Sequence, residues 1–426
     1  MNADKRKQII ELVHKEVVPA LGCTEPIAVA LAVAKAREAI GCCPTKTVVA
    51  VSANIFKNGM GVGVPGTGMV GLGIAAALAV ISGDSADQLE VLKHVSPELV
   101  ASAKKIVDNK EVIIELEPTD EKLFIRAACY NGENKSEVII RGSHANIISV
   151  KLNDEILFLK DDNQESAIDP MNSIELSLDE VFEFAHTAPL EEIDFILEGA
   201  EMNKILSKAG IDGKLGLGIG ANIQNKINER KVCDELMNQA MSMTAAASDA
   251  RMAGAMLPAM SNSGSGNQGI TAMLPVVSIA ESLDSTREQL IRALMLSNLV
   301  VIFIKRSFGR LSAACGCVIA STGAACGATY LLGGTQEQVE YSIKNMIGNL
   351  TGMVCDGAKL GCALKVATGT SAAIQSAFFA IDNICISAND GIIENDTEKT
   401  IRNVAKIASE AMNETDKAIL NIMVNK

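Results

Sequence analysis

The sequence predicts an α+β protein, a large all-helical domain with an α/β sandwich domain inserted near its start. Three observations predict it. The chain has 426 residues, more than one hydrophobic core normally serves, so two structural units are expected. Hydrophobic residues make up 48% of it but aromatics only 3%, with no Trp; a core of Ala, Val, Ile, Leu and Met suits closely packed helices. Between Thr45 and Leu159 the pattern turns to short, β-branched, alternating runs, with helical periodicity on both sides.

Taken in order, residues 4 to 40 read as helix, with apolar positions Ile9, Ile10, Leu12, Val13 and Val17, a break at Gly22–Pro26 that carries Cys23, and an Ala-rich second segment. Thr45 to Asn54 reads as a strand, followed by a Gly-rich loop at Val64–Gly68 and a Gly/Ala-rich helix. Helical signals continue from Ser85 to Val107. Short strands then follow at Glu111–Glu117, Lys122–Tyr130, Glu137–Arg141, Ile147–Leu152 and Ile156–Leu159. The acidic stretch Lys160–Asp169 reads as a linker. From Leu176 onward helical periodicity dominates, interrupted by Gly-rich loops at Gly213–Gly220 and Ser261–Gly269. The expected division is 1–43, helices packing on the helical domain; 44–165, the α/β domain; and 166–426, the all-helical domain.

Lys plus Arg number 38 against 51 Asp plus Glu, a formal charge of -13, which repels nucleic acid and acidic membrane surfaces. A small-molecule ligand is expected, and an anionic one needs local positive charge. Met1 to Glu16 is charged and amphipathic with no apolar signal core, so a cytoplasmic location is expected. The apolar runs Thr67–Ser82 and Cys315–Leu332 are short and rich in Gly, Ala, Ser and Thr, which favours buried helices over membrane spans.

Eleven cysteines in such a chain point to free thiols or metal ligands rather than a disulfide framework. Two late groups stand out: Arg310-Leu-Ser-Ala-Ala-Cys315-Gly-Cys317 and Cys355-Asp-Gly-Ala-Lys-Leu-Gly-Cys362, both amid small residues that leave room for a bulky inorganic group. Neither has zinc-ribbon or ferredoxin spacing, and small buried hydrophobes are the alternative reading. Gly22-Cys23-Thr24-Glu25-Pro26 puts a thiol, a hydroxyl and a carboxylate on a turn before a helix, where a thiolate is favoured; an ordinary cap is the alternative. The loops Pro65–Gly71 and Ser261–Gly269 could bind a carboxylate through backbone amides, with Arg251 adding a cation to the second. The second loop, Ser261-Asn-Ser-Gly-Ser-Gly-Asn-Gln-Gly269, is also denser in side-chain donors than a structural turn needs. His14, His94 and His186 fall on or beside charged helical stretches, whereas His144 sits in a turn between two strands, where it could project toward a site.

Pro19-Ala-Leu-Gly-Cys23-Thr-Glu-Pro26, Lys57-Asn-Gly-Met-Gly61, Val64-Pro-Gly-Thr-Gly-Met-Val-Gly71, Ser248-Asp-Ala-Arg251, Leu257–Gly269 and Cys355-Asp-Gly357 together resemble the L-cysteine desulfidase family, end to end. That family is similar to the alpha chain of iron–sulfur-dependent L-serine dehydratases. The resemblance implies a [4Fe-4S] cluster held by Cys315, Cys355 and Cys362, with Cys317 the rival for the first position and Cys23 for the third. It implies β-elimination of L-cysteine to pyruvate, ammonia and sulfide, with one iron left open as a Lewis acid. Cys23, Glu25 and His144 are the candidate bases. Thr24, Asn58, Gly66, Thr67, Gly68, Arg251, Ser261, Asn262, Ser263, Gly264 and Asn267 are the expected substrate contacts, and a homodimer is expected. L-Serine dehydration is the nearest alternative, and a non-catalytic iron–sulfur or amino-acid sensor is the alternative of another class. Ser265-Gly-Asn-Gln-Gly269 also resembles the substrate loop of pyridoxal-phosphate β-eliminating enzymes, which need a Schiff-base lysine; the nearest upstream candidates are Lys226 and Lys231.

Overall fold

The computed structural model describes residues 1–160, 174–308 and 313–425. It is an α+β fold, with one six-stranded mixed sheet and one two-stranded pairing among many helices. Most of the expected Lys160–Asp169 linker, and Arg310-Leu-Ser ahead of Cys315, lie outside the described residues.

The chain opens with α1 (Ala3–Glu16), capped by the Asn2 side chain, then β1 (Pro19–Leu21) and α2 (Thr24–Ile40). Next come β2 (Lys46–Val51), α3 (Ala53–Gly59), α4 (Leu72–Ser82), a 3-10 turn at Ser85–Glu90 and α5 (Pro97–Asp108). Strands β3 (Val112–Leu116), β4 (Phe124–Asn131), β5 (Asn134–Arg141), β6 (Ile147–Leu152) and β7 (Glu155–Leu159) complete the sheet. Its order is β3-β2-β4-β5-β6-β7. Only the β2–β3 pair is parallel. The alternation that marks these strands in the sequence is the burial pattern: Val49 and Val51, Ile125, Ala127 and Cys129, Val138 and Ile140 face one core.

That core is completed by α2 and α4. Ala28 to Ala34 of α2 are fully buried in it together with Ala75 to Ala79 of α4. The sequence predicts that residues 1–43 pack together on the helical part; in the structure α1 joins the helical core, while α2 covers the sheet. The cause is composition: Ile27–Ala36 is apolar nearly all round, which suits a helix buried on several sides.

The helical part comprises α6 (Leu178–Thr187), α7 (Leu190–Ile193), α8 (Ile196–Gly213), α9 (Ile219–Asn228), α10 (Leu236–Met252) and β8 (Pro258–Met260). It continues with α11 (Gly266–Ser282), α12 (Arg287–Phe308), α13 (Gly316–Leu331), α14 (Gln336–Leu350), α15 (Cys362–Ile381), α16 (Thr397–Lys406), a π-helical turn at Ile407–Ala411 and α17 (Asn413–Val424). Capping boxes at Ser177/Glu180 and Thr335/Gln338 start α6 and α14, each cap contributing about 1 kcal/mol. Helix α13 is central, packed on α11, α12, α14 and α15. It lies close to α12 because Gly323 has no side chain: a Cβ there would fall 2.4 Å from the Ser297 carbonyl oxygen. Among the described residues no helix is long and apolar enough to cross a membrane.

Candidate active site

Backbone pairing assembles the site from distant segments. Antiparallel β1 and β8 align Pro19 with Met260 and Leu21 with Pro258. The ladder continues past β8, where Ser261 N–H donates to the Val18 carbonyl at 2.9 Å and Ser263 N–H to the Glu16 carbonyl at 2.9 Å. The ladder places the start of the Ser261–Gly269 loop against Glu16–Val18, and Arg251, which donates to both the Gly22 carbonyl and Asn267 Oδ1, ties the turn holding Cys23 to the rest of that loop. Cys23 caps α2, Cys315 caps α13 and Cys362 opens α15, three helix N-termini where partial positive charge favours an anion. A second backbone tie joins the two late cysteine segments: Cys315 N–H donates to Met353 O at 2.9 Å, and Cys355 N–H to Ala313 O at 2.6 Å.

These segments enclose a cavity of ≈ 160 Å³, lined by Cys23, Cys315, Cys317, Cys355 and Cys362 together with Thr24, Glu25 and Arg251. Helix α3 closes it from the sheet side with Asn54, Lys57 and Asn58; Ser263, Gly264 and Asn267 come from the second loop. Arg251 is buried. Its guanidinium donates to the Gly22 carbonyl at 3.0 Å and to Asn267 Oδ1 at 3.3 Å. Among the described residues no carboxylate forms an ion pair with it. Gly266 is required beneath it, since a Cβ there would lie 2.2 Å from Arg251 Nε. Lys57, also buried, pairs with Asp416 of α17.

The thiols are strongly perturbed. Burial pushes Cys23 up to about 11 from 9.0, against the pull of Arg251. Burial and then the neighbouring Cys355 push Cys315 up to about 12. Cys317 is also driven well above the usual range by burial, and its thiol donates to the Lys365 carbonyl at 3.1 Å. Burial raises Cys362, with Cys355 adding to the effect. At Asp356, burial is outweighed by hydrogen bonds and charge from Lys359 and Lys365, which hold its carboxyl at about 2. The two lysines thereby fasten the turn that follows Cys355.

Residues 86–421 match the family described as the serine dehydratase alpha chain. The UPF0597 protein of Bacteroides fragilis strain NCTC 9343 is 51% identical over 427 residues, covering 100% of both chains. That of Bacteroides thetaiotaomicron is 50% identical, covering 100% of this chain and 99% of its own. The UPF0597 protein of Photobacterium profundum is 45% identical, over 98% of each. The chain belongs to the serine dehydratase alpha chain family. Its relatives span the whole of it, so the sheet is as much part of this family member as the helical part.

Among the described residues of this serine dehydratase alpha chain relative, no three His, Cys, Asp or Glu side chains converge on one point as they would around a single ion. The thiols instead occupy different walls: Cys23 and Cys362 share one small apolar cluster, Cys315, Cys317 and Cys355 another. Separate thiols facing a common space fit a polynuclear iron–sulfur group, whose irons each take their own ligand. Raised thiol pKa values do not oppose this, because a coordinating metal deprotonates the thiol outright.

Of the residues expected from the sequence, Cys23, Thr24, Glu25, Asn58, Arg251, Ser263, Gly264, Asn267, Cys315, Cys317, Cys355 and Cys362 line the cavity. Six others do not. His144 stays in the turn between β5 and β6, because that hairpin belongs to the sheet rather than to the junction. Gly66, Thr67 and Gly68 form a tight turn whose Thr67 hydroxyl donates to Val64 O at 2.7 Å and accepts from Met69 N–H at 2.9 Å. Ser261 donates to Val18 O at 2.6 Å, and the Asn262 amide to Asn298 Oδ1 at 2.9 Å; both are spent on holding the loop. Lys226 and Lys231 pair with Glu229 away from the cavity. Sequence reasoning missed Asn54, Lys57, Ser265, Gln268, Lys305 and Lys365 as lining residues. Lys305 had a signal: it ends the apolar run Leu299–Ile304 of a buried helix, where a cation is costly without a purpose.

Proposed function

We propose that this family member is a β-eliminating carbon–sulfur lyase acting on L-cysteine, with a [4Fe-4S] cluster on Cys315, Cys355 and Cys362. The observation that carries the reading is the gathering in one small cavity of five thiols and a buried arginine that, among the described residues, has no carboxylate partner. Cys317 fits less well as a ligand, because its thiol donates to the Lys365 carbonyl at 3.1 Å, a closer bond than that of Cys362 to the Gly357 carbonyl at 3.7 Å. Held by Cys315, Cys355 and Cys362, such a cluster would supply Lewis acidity toward the substrate's leaving group.

The remaining steps belong to side chains. Arg251 takes the substrate carboxylate, assisted by the Ser263–Asn267 turn, in a protein whose overall charge repels anions. Glu25, fixed at the start of α2 beside Thr24, whose hydroxyl donates to it at 3.4 Å, removes the α-proton. Cys23 is the less available base, since burial keeps its thiol protonated up to about 11 and leaves little thiolate to accept a proton. Loss of the α-proton and cleavage of Cβ–S give aminoacrylate and sulfide; water then converts aminoacrylate to pyruvate and ammonia. L-Serine is the alternative substrate, because hydroxide leaves the same carbon.

Anaerobic purification with iron and sulfide analysis, followed by pyruvate assays on L-cysteine and L-serine, tests the reading. About four irons per chain, the content of one cubane, and faster turnover of cysteine than of serine are expected. Cys355→Ser should abolish both iron and turnover, while Cys233→Ser, at an exposed position, should leave both intact. Stoichiometric pyridoxal phosphate in place of iron would refute the assignment.

A further inference from the structure

Among the described residues strand β7 is the outer strand of the sheet, paired only with β6. Such an edge normally carries charge or cover to prevent association. Here Ile156, Leu157, Phe158 and Leu159 are 53%, 49%, 47% and 61% exposed. Leu157 and Phe158 also border a groove of ≈ 680 Å³ with Ile147 and Val150. The four apolar residues are flanked by Glu155 and Lys160, of opposite charge.

We propose that β7 pairs antiparallel with β7 of a second copy, about a two-fold axis between Leu157 and Phe158, to make one continuous sheet. The segment Glu-Ile-Leu-Phe-Leu-Lys is self-complementary in that register. Glu155 faces Lys160 of the second copy at both ends, Ile156 faces Leu159, and Leu157 faces Phe158, as an isologous contact requires.

The bulge in β7 selects the same partner. Ser149, Val150, Lys151 and Leu152 pair with Leu159, Phe158, Ile156 and Glu155, so Leu157 has no partner on β6. Lys160 N–H is spent on Ile148 O at 2.9 Å, so the adjacent Leu159 turns its backbone groups to the open edge. Counting from the two-residue turn at Asn153 and Asp154, Ile156 does the same at the other end. The outward groups are thus spaced by three residues. A regular strand, with outward groups every two residues, matches only one of them; an antiparallel copy with the same bulge matches both.

Sedimentation analysis of the full chain across concentration tests this, independently of its chemistry. The wild type should dimerise. Glu155→Lys and Lys160→Glu should each weaken the dimer by about tenfold or more, since each places like charges opposite at two symmetric positions. The double exchange should restore it to within about threefold. Amides of Ile156 and Leu159 should gain hydrogen-exchange protection as concentration rises. A monomeric wild type, a dimer unmoved by either reversal, or a double exchange that fails to restore it overturns the proposal. Should a reversal not fold, Leu157→Asp replaces it, and an unchanged dimer there is equally decisive against it.

Discussion

Arg251 is a buried cation that donates to two neutral oxygens, those of Gly22 and Asn267. A charge so placed is costly unless it serves an anion. Arg251→Lys keeps the charge but loses the planar fork, so KM for cysteine should rise about 10- to 100-fold, the worth of a charge-assisted hydrogen bond, with kcat reduced far less. Steady-state kinetics check it; a fall in kcat at unchanged KM would mean that the residue acts through Gly22 and Cys23 instead. At this scale the sequence was informative where a residue's chemistry is unusual for its surroundings. Thiols amid Gly and Ala, and Arg251 after Ser-Asp-Ala, stood out and reached the cavity. Thr67 and Asn262 looked equally functional, but whether a hydroxyl or amide turns outward or back onto its own loop depends on backbone torsions that residue type does not specify.

The turn after Cys355 shows how elements meet at the site. Gly357 has φ +91 and lies over α3, so that an added Cβ would come 2.1 Å from the Lys57 carbonyl oxygen. Gly357→Ala meets both a backbone conformation unfavourable to L residues and a main-chain atom that cannot yield. It should destabilise the protein by about 1–3 kcal/mol and lower iron content on reconstitution, read by denaturant unfolding and iron analysis; unchanged values in both would separate α3 from the cysteine loop. All five strands expected after Glu111 form; in β4 and β5 the alternation is directly a burial pattern, whereas β7, exposed along its length, is marked only by an apolar run after the turn at Asn153 and Asp154. Two features were not legible. The β1–β8 pairing joins three-residue strands far apart in sequence, too short for periodicity. The side of the molecule on which α2 packs is decided by which apolar surface is nearest in three dimensions, and its nearly uniform apolar sequence does not encode a direction.

For the whole molecule, buried thiols are a common feature of both cores, and they give the fold a pH dependence. Burial raises Cys23 and Cys129 to about 11, and Cys315 and Cys326 to about 12, from 9.0. Between those values the unfolded chain has released protons that the folded apo-chain retains. The folded state therefore binds more protons than the unfolded one, and stability falls as pH rises from about 9. Below 9 the thiols are protonated in both states and contribute no slope. Each contributes at most about 1.4 kcal/mol per pH unit, so the decline is steep, and the growing negative charge of a chain already at -13 acts in the same direction. Thermal unfolding of apo-protein at pH 8, 9.5 and 10.5 should show this decline. Cys326→Ala removes a fully buried thiol from the helical core without touching the cavity, and should make the decline shallower. Loading with iron and sulfide should do so further if Cys315 is a ligand, since its proton is then lost in the folded state as well. An apo-protein equally stable at pH 8 and 10.5 would mean that these thiols are hydrated in solution and that neither core is as closed as the structure has it.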